Sequence, residues 1–387
     1  MVSKMKILHT VEFYDPSKGG MQEVVKQLSE RLVKMGHEVT VATSKDHSRK
    51  TSVINGVRIR DFDISGNFVM GMSGNIWEYQ RFLTDSKFDV MTNFAAQQWA
   101  TDIALKILPQ ISAKKVFVPT GFPALGFPEF EEYFKLIKEQ SPHYDMNVFL
   151  SETGKDYSFF NGNAKRIIIT NGADENEFAY SGKPYIRQKL GIPEKNFLVL
   201  HVGSHTGMKG HAEAIEIFKR ANIPNSTLVI VGNIFSIRCY YECKLKEFFN
   251  RNIMIVELPR EDVVALYKES DVFLFPSNVE CSPIVLFEAM AAGLPFMTTD
   301  VGNSKEIIKW SNYSGFELPT IIDPKGYSHA DIELSSLLLK KLYGRKGFVL
   351  NKIGMHGRQE WLEHFTWEKI ARQYENMYRN IQSTTHG

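Results

Sequence analysis

The sequence predicts an α/β protein made of two Rossmann-like, doubly wound domains that face each other across a central cleft. Short apolar runs of strand type alternate with amphipathic helical segments, which is typical of parallel sheets covered by helices. The alternation restarts after a polar segment, with a second glycine-rich loop. The 387 residues, 43% of them hydrophobic, suffice for two domains with separate cores.

The first domain begins with a βαβ unit. A strand over KILHTV, the loop EFYDPSKGG, a helix over MQEVVKQLSERLVKM and a strand over EVTVAT follow one another, which implies a parallel sheet. Later strands are predicted over VRIRDF, FDVMTNF, KKVFVPT, NVFLSE and RIIITNG, with helices near residues 75–85, 97–108 and 129–140. The aromatic stretch GFPALGFPEFEEYFKLI could contact a glycan or a lipid carrier, but we expect it to form core.

The second domain repeats the pattern after a predicted linker that runs from Asn171 to Pro184. Its strands are NFLVLHVG, TLVIVGN, NIMIVEL and DVFLFPS, and its helices include HAEAIEIFKRA and EDVVALYKES. Two such domains would form a cleft lined by strand carboxyl ends and helix N-termini. We place the domains at residues 1–180 and 181–365, followed by an amphipathic terminal helix at 366–387.

Composition excludes several classes of protein. A net charge of +2 without a Lys/Arg tract gives no reason to expect nucleic-acid binding. Cys239, Cys243 and Cys281 are too few for a disulfide framework and lack metal-ligand spacing with nearby histidines. No segment reaches about 18 apolar residues and none resembles a cleaved leader. We therefore expect a cytoplasmic protein that is soluble or contacts the inner face of the membrane peripherally.

Residues 276–296, PSNVECSPIVLFEAMAAGLPF, form the most informative segment. A buried strand precedes it, and Ser282 followed by Pro283 fits an N-cap and a first helical position. Gly293, with a proline two positions later, predicts the end of this helix. The free amides of Ile284 and Val285 would then favour a pyrophosphate group.

The same segment carries two carboxylates, Glu280 and Glu288, eight positions apart. Glu288 lies about six residues beyond the predicted cap, roughly 9 Å along the helix axis, a distance suited to a ribose when phosphates sit at the N-terminus. Glu280, in the loop, would face a sugar instead. At this spacing alone, two solvated glutamates would be the ordinary interpretation.

A second candidate segment is the loop HVGSHTGMKGH at the start of the second domain. Gly203, Gly207 and Gly210 would allow the backbone to approach phosphate, and Lys209 would supply positive charge. The spacing does not fit a Walker P-loop, because no Gly-Lys-Ser/Thr follows a four-residue gap. Without the segment at 276–296, a structural turn would be the better interpretation.

Taken together, the two segments resemble the Glu-x7-Glu signature and the Lys-Gly loop of retaining GT-B glycosyltransferases, specifically glycosyltransferase family 4 (group 1). The resemblance implies the GT-B fold, with a C-terminal helix that crosses back to the N-terminal domain. It implies transfer of a hexose from a nucleotide sugar, most often a UDP-sugar, to a glycan or glycolipid hydroxyl by front-face attack. Lys209 and Glu280 would be the catalytic residues, and Glu288 would hold the ribose. No cofactor or metal would be required, and polysaccharide biosynthesis is the implied role.

The resemblance also extends to the first domain. Gly20, in the first glycine loop, would face the donor phosphates, whereas Gly19 and Met21 are candidates for the acceptor side. Many relatives carry a His-Gly pair where this chain has Thr120 and Gly121, so Thr120 is the acceptor-side candidate at that position. A tight turn would explain the glycines nearly as well, and the two interpretations are compatible.

One departure concerns the phosphate site itself. Family members often have an arginine after the glycine that corresponds to Gly203, and this chain has Ser204. Loss of a charged donor would cost about 1.5–3 kcal/mol if nothing replaces it. Arg260 could compensate, because some relatives place an arginine near the nucleotide at the matching position, next to Leu258. A solvent-facing residue at the start of a helix is the alternative for Arg260.

Other interpretations stay open at this point. The departures at two family positions favour a non-catalytic sugar-nucleotide-binding or scaffold protein as the alternative function. A glycosidase would place its paired carboxyls across one bond, and a dinucleotide oxidoreductase would need a Gly-x-Gly-x-x-Gly loop. Asp61-Phe62-Asp63 matches the metal-binding Asp-x-Asp motif, but a match of three residues occurs often by chance. We interpret it as a solvated strand end.

Four histidines lie near strand or loop ends, and we expect each to be structural rather than catalytic. Two of them, His9 and His205, are the best placed to reach the cleft; the others are His201 and His211.

Overall fold

The computed structural model describes residues 3–160, 165–179 and 184–383. The chain divides into unit 1, which is Met1–Asn171 with Trp367–Gly387, and unit 2, which is Gly172–Thr366. The boundary predicted between residues 180 and 181 lies outside the described residues, in the stretch 180–183. Residues 172–179 already belong to unit 2, where a short helix buries Phe178, so this part of the predicted linker is core instead.

The strands are short and are numbered in chain order. They are β1 Lys6–Thr10, β2 Glu38–Ser44, β3 Val53–Ile54, β4 Val57–Phe62, β5 Ile64–Asn67, β6 Gly71–Gly74, β7 Val90–Phe94, β8 Lys114–Val118, β9 Met146–Phe149, β10 Arg166–Ile168, β11 Phe197–Val202, β12 Ser226–Val231, β13 Ile253–Val256, β14 Val272–Phe275, β15 Phe296–Thr298, β16 Gly315–Glu317, β17 Thr320–Ile322 and β18 Ser328–Ala330.

The helices, also in chain order, alternate with most of these strands. They are α1 Gly20–Lys34, α2 Ile76–Asp85, α3 Trp99–Leu105, α4 Glu131–Gln140, α5 Lys155–Phe159, α6 Glu175–Ala179, α7 Ile186–Lys189, α8 His211–Ala221, α9 Ile237–Phe248, α10 Arg260–Glu269, α11 Ile284–Ala292, α12 Ser304–Trp310, α13 Ile332–Tyr343, α14 Phe348–His364 and α15 Trp367–Ser383.

Unit 1 is built on an eight-stranded sheet with the order β10-β9-β8-β7-β1-β2-β4-β3. Its strands pair in parallel, except that β3 runs antiparallel to β4. Helix α15 belongs to this unit and packs against α1. The aromatic stretch expected to form core does so in part, because Phe122, Tyr133 and Phe134 are buried, whereas Phe127 is exposed.

Unit 2 is built on a six-stranded parallel sheet with the order β13-β12-β11-β14-β15-β16. Numbered from its own first strand, this order is 3-2-1-4-5-6, the order of doubly wound dinucleotide-binding folds. The strand order reverses at this point, because β12 and β13 lie on one side of β11 and β14 lies on the other. The crevice beyond the carboxyl ends of β11 and β14 is therefore the expected ligand position. The predicted fold class, α/β with two Rossmann-like units, is confirmed. Within the described residues, no helix has the length and apolar character needed to cross a bilayer.

The loops after β11 and β14 touch at one glycine. Gly210 caps α8 in the left-handed conformation at φ +72°, and a Cβ atom there would overlap the carbonyl oxygen of Pro276. Gly207 lies in the same loop at φ +85°, with no atom within 4 Å of where its Cβ would stand. The two positions therefore share their backbone conformation and differ in their surroundings.

We expect Gly210→Ala to destabilise unit 2 more than Gly207→Ala. Left-handed strain costs each alanine about 1–2 kcal/mol. The overlap with Pro276 adds about 1–3 kcal/mol only at position 210. Urea unfolding of both variants and the wild type measures the difference. Equal losses of stability in the two variants would show that the two loops do not pack as described.

Candidate functional site

The carboxyl ends of β11 and β14 bring together the two loops that the sequence singled out. The loop after β11 contains residues 203–210, and the loop after β14 contains residues 276–283. The Asn278 amide donates a hydrogen bond to the Met208 carbonyl at 2.9 Å, and the Ser277 hydroxyl donates to the same oxygen at 3.2 Å. Neighbouring strands and these backbone contacts therefore fix one loop against the other.

An ion pair between Lys209 and Glu280 joins the same loops. Lys209 Nζ lies 2.6 Å from Glu280 Oε1, and the Ser277 hydroxyl donates to that oxygen at 2.9 Å. The Glu280 side chain is 11% exposed and the Lys209 side chain 29% exposed. Since a carboxylate at this burial is costly without a partner, the lysine and the hydroxyl together stabilise its charge.

Gly203 leaves room for the lysine. A Cβ atom at Gly203 would stand 3.2 Å from Lys209 Cβ, a contact tighter than side chains normally make. The serine that replaces the family arginine donates its hydroxyl to Asn233 Oδ1 at 2.5 Å. Position 204 thus carries no cation, and Lys209 supplies positive charge in this loop.

Helix α11 begins at Ile284, one residue later than the predicted start. Pro283 is the N-cap, with ψ 113° outside the helical range, so Ser282 is not the N-cap. The amides of Ile284 and Val285 make no hydrogen bond to any described residue, as expected for the first turn of a helix. The helix ends as predicted at Gly293, a left-handed C-cap with φ 69°.

A second charged group lies around Glu288, in the middle of α11. Arg260 Nη2 is 2.5 Å from Glu288 Oε1 and 2.7 Å from Glu177 Oε2, so one guanidinium bridges two carboxylates. The Glu288 side chain is only 8% exposed. Burial, reinforced by the charge of Glu288, raises the pKa of Tyr267 well above its usual value.

Arg260 is the first residue of α10, and it is paired rather than free in solvent. Its side chain is nevertheless 42% exposed, so Arg260 is both ion-paired and accessible to solvent. Leu258, two residues before the helix, is partly buried against the core of unit 2. Glu177, on α6, was missed by the sequence analysis because it lies in the predicted linker, where no motif marks it. Ser277 was missed as well, although it directly follows the proline of the loop.

The candidate residues of unit 1 stand at the carboxyl ends of β1 and β8. Gly19 caps α1 and Gly20 is its first residue, and both are exposed, whereas Met21 is partly buried. Thr120 follows β8 with φ +60°, a left-handed conformation that is rare for a β-branched residue. Such strain costs about 1–3 kcal/mol and often occurs at functional sites.

The four histidines singled out by the sequence are buried. His9 contacts Ser29 Oγ at 2.8 Å and the Tyr378 hydroxyl at 3.3 Å, and burial lowers its pKa to about 3. His205 is equally inaccessible to solvent. His201 and His211 are buried beside the β11 loop, where burial lowers the pKa of His201 to about 4.

Two further expectations concern metals. Asp61 forms an ion pair with Arg49 near the end of β4, which agrees with its interpretation as a strand-end residue. The spacing of the cysteines and histidines along the sequence predicts no metal site, but the fold places one histidine beside two of the cysteines. His205 Nδ1 lies 3.6 Å from Cys239 Sγ, because the fold brings together residues that are 34 positions apart.

Comparisons with known proteins agree with this geometry. Residues 182–330 match the family described as glycosyl transferases group 1. An uncharacterized glycosyltransferase of Methanocaldococcus jannaschii is 26% identical over 97% of this chain and 98% of its own length. The lipopolysaccharide glucosyltransferase WaaG of Escherichia coli is 37% identical over 30% of this chain and 31% of its own.

Solved structures show the same fold. Sucrose-phosphate synthase from Thermosynechococcus elongatus superposes with a TM-score of 0.80 at 17% identity, covering 98% of this chain and 100% of its own. Anabaena HepE, solved with UDP and glucose, gives a TM-score of 0.76 at 16% identity over 97% of this chain and 100% of its own. Residues 182–330 therefore resemble the group 1 glycosyl transferases, and the fold is GT-B.

Proposed function

We propose that this protein is a retaining hexosyltransferase that uses a UDP-sugar and acts without a metal ion. The observation that carries the proposal is the Lys209–Glu280 ion pair, which lies where the strand order of unit 2 reverses. Helix α11 begins just after Glu280, and the amides of Ile284 and Val285 in its first turn bond to no described residue. A nucleoside diphosphate needs positive charge and hydrogen-bond donors, and this arrangement supplies both.

The charge on the leaving group determines the role of Lys209. When the bond between the anomeric carbon and the diphosphate breaks, negative charge grows on phosphate and positive character on the sugar ring. Lys209, held by Glu280 at 2.6 Å, is a cation already oriented in the loop, so little reorganisation accompanies the reaction. The amides of Ile284 and Val285 would add the dipole of the α11 N-terminus.

Glu280 would bind hydroxyls of the donor sugar. Its Oε1 already accepts from Lys209 and Ser277, which leaves Oε2 free to accept from a ligand. Because Glu280 is tied to a lysine, we assign it to orientation of the sugar and not to nucleophilic attack. Front-face attack, with the departing phosphate accepting the proton of the acceptor, needs no protein nucleophile and is the route that the family resemblance implies.

Glu288 would hold the ribose hydroxyls. Arg260 donates to only one of its oxygens, so the carboxylate keeps acceptor capacity for a ligand. The positive charge of Arg260 is already balanced by Glu177 and Glu288, which argues against Arg260 as a substitute for the missing phosphate-binding arginine. We assign Arg260 to positioning Glu288. Leu258 would pack beside the base of the nucleotide.

For the acceptor we propose a glycan or lipid-linked glycan at the inner face of the membrane. In unit 1, Gly19, Met21 and Thr120 are the candidates that would contact it, and Gly20 would contact the donor phosphates. The name of the relative WaaG associates that protein with lipopolysaccharide, which supports a role in polysaccharide or glycolipid assembly.

A basic surface on unit 2 supports peripheral membrane contact. The stretch from Leu334 to Gln359 contains no Asp or Glu and six Lys or Arg residues. Phe348 is 83% exposed beside them. Five of the cations are exposed and lie beyond ion-pair distance of any described carboxylate: Lys340, Lys341, Arg345, Lys346 and Lys352. Exposed cations with an exposed aromatic residue suit an anionic lipid surface.

The proposed activity is tested by release of UDP from a panel of UDP-sugars in the presence of an acceptor and EDTA. We expect Lys209→Met and Glu280→Gln each to lower turnover by about 100- to 1000-fold, since each removes charge stabilisation or sugar orientation. Lys114→Met is the matched control, because it removes a partly buried Lys–Asp pair of unit 1. A metal-dependent activity that Asp61→Ala abolishes and Lys209→Met leaves intact would contradict the site assignment.

The membrane surface gives a separate prediction. Arg345→Gln/Lys346→Gln should weaken binding to phosphatidylglycerol vesicles by about 2 kcal/mol, roughly thirty-fold, because each charge contributes about 1 kcal/mol near an anionic surface. Co-sedimentation measures this binding, and the exposed pair Lys135→Gln/Lys138→Gln serves as the control. Equal binding to pure phosphatidylcholine vesicles, or an equal loss in the control, would show that this surface does not contact lipid.

A further inference from the structure

One cluster of potential metal ligands lies behind the Lys209 loop and has no part in the proposed chemistry. Cys239 and Cys243 stand four positions apart on the buried face of α9, and His205 comes from the loop after β11. One ligand atom from each residue lies within 4.8 Å of the other two. All three side chains are buried, and the two sulfurs are free thiols.

The distances within this cluster match a metal site. A tetrahedral zinc ion with Zn–S near 2.3 Å and Zn–N near 2.0 Å separates its nitrogen and sulfur ligands by roughly 3.5 Å. His205 Nδ1 and Cys239 Sγ are 3.6 Å apart. Cys243 Sγ lies within 4.8 Å of Cys239 Sγ and of a ring nitrogen of His205, so a small movement of its side chain would close the site.

The imidazole of His205 is poorly satisfied by its surroundings. Its Nδ1 contacts only the Cys239 thiol, a weak partner, and its Nε2 has no hydrogen-bond partner among the described residues. Buried polar atoms without good partners cost about 1–3 kcal/mol each.

We propose that His205 Nδ1, Cys239 Sγ and Cys243 Sγ form a zinc-binding site. Sulfur and imidazole donors are the set that Zn²⁺ prefers, and the fourth position would go to a ligand from outside this trio. Each thiol must lose its proton to bind, so uptake of one Zn²⁺ by two thiols and one neutral imidazole releases two protons.

The position of the site suggests what the ion would do. The backbone of His205 already bonds to Asn233 and Ser236, the residues that lead into α9. A metal ion shared by His205 and the two cysteines would fasten the loop that carries Lys209 to this helix. It would therefore be a structural ion behind the donor site, a role that rests on the proposed function, whereas the binding itself does not.

Metal binding is tested on the full-length protein after treatment with a chelator and a reductant. We expect one Zn²⁺ per chain, measured by competition with a chromophoric chelator, and Co²⁺ in its place should give sulfur-to-cobalt charge-transfer absorption. Cys239→Ser/Cys243→Ser should abolish both signals, and His205→Asn should weaken binding at least about tenfold. Cys281→Ser is the matched control and should change neither, since Cys281 lies outside the cluster.

A second measurement needs no variant and so does not depend on the folding of mutants. Both cysteines are buried, so their alkylation depends on transient opening of the structure. Zn²⁺ should slow the alkylation of Cys239 and Cys243 while leaving the rate at Cys281 unchanged, as mapped by mass spectrometry over time. Absence of stoichiometric zinc in the wild type, or protection of all three cysteines alike, would overturn the proposal. Neither assay uses a sugar nucleotide, so either result leaves the proposed transfer activity to be judged by its own test.

Discussion

The pairing of β11 with β14 is the constraint on which the candidate site depends. These strands are consecutive neighbours in the sheet but far apart in the chain, so their following loops meet at the reversal of strand order. Lys209 comes from one loop and Glu280 from the other, and they meet at 2.6 Å. Any change that separated the two strands would separate a buried carboxylate from its cation, which is costly in a low-dielectric site.

Two ion pairs would bind different parts of the donor. Lys209–Glu280 would serve the phosphate and the sugar, whereas Arg260–Glu288 would serve the ribose. In both pairs the carboxylate is more buried than the cation, so the cation stabilises the acid until a ligand adds its own hydrogen bonds. Because residue 204 is a serine and not an arginine, Lys209 supplies the positive charge of the loop 203–210.

The sequence predicted the elements that follow from local rules. The alternation of strands and helices, the helix end at Gly293 and the core role of Phe122 and Tyr133 depend on periodicity, backbone conformation and burial of apolar side chains. The partners of those elements were harder to predict. Glu177 contacts Arg260, and Cys239 contacts His205, only because the fold brings them together. The number of residues between the members of each pair gives no indication of the contact. The one-residue error at Ser282 arose because a proline can itself occupy the N-cap.

The central claim is that unit 2 binds a nucleoside diphosphate through Lys209, Glu288 and the start of α11. Calorimetric titration of UDP, GDP and ADP in the presence of EDTA tests it most directly, with Glu288→Gln compared to Glu247→Gln, a partly exposed ion-pair glutamate on α9. The account predicts that UDP binds without metal and that only Glu288→Gln weakens it, by about tenfold or more. Failure of all three nucleotides to bind, or binding that Glu288→Gln leaves unchanged, would contradict it.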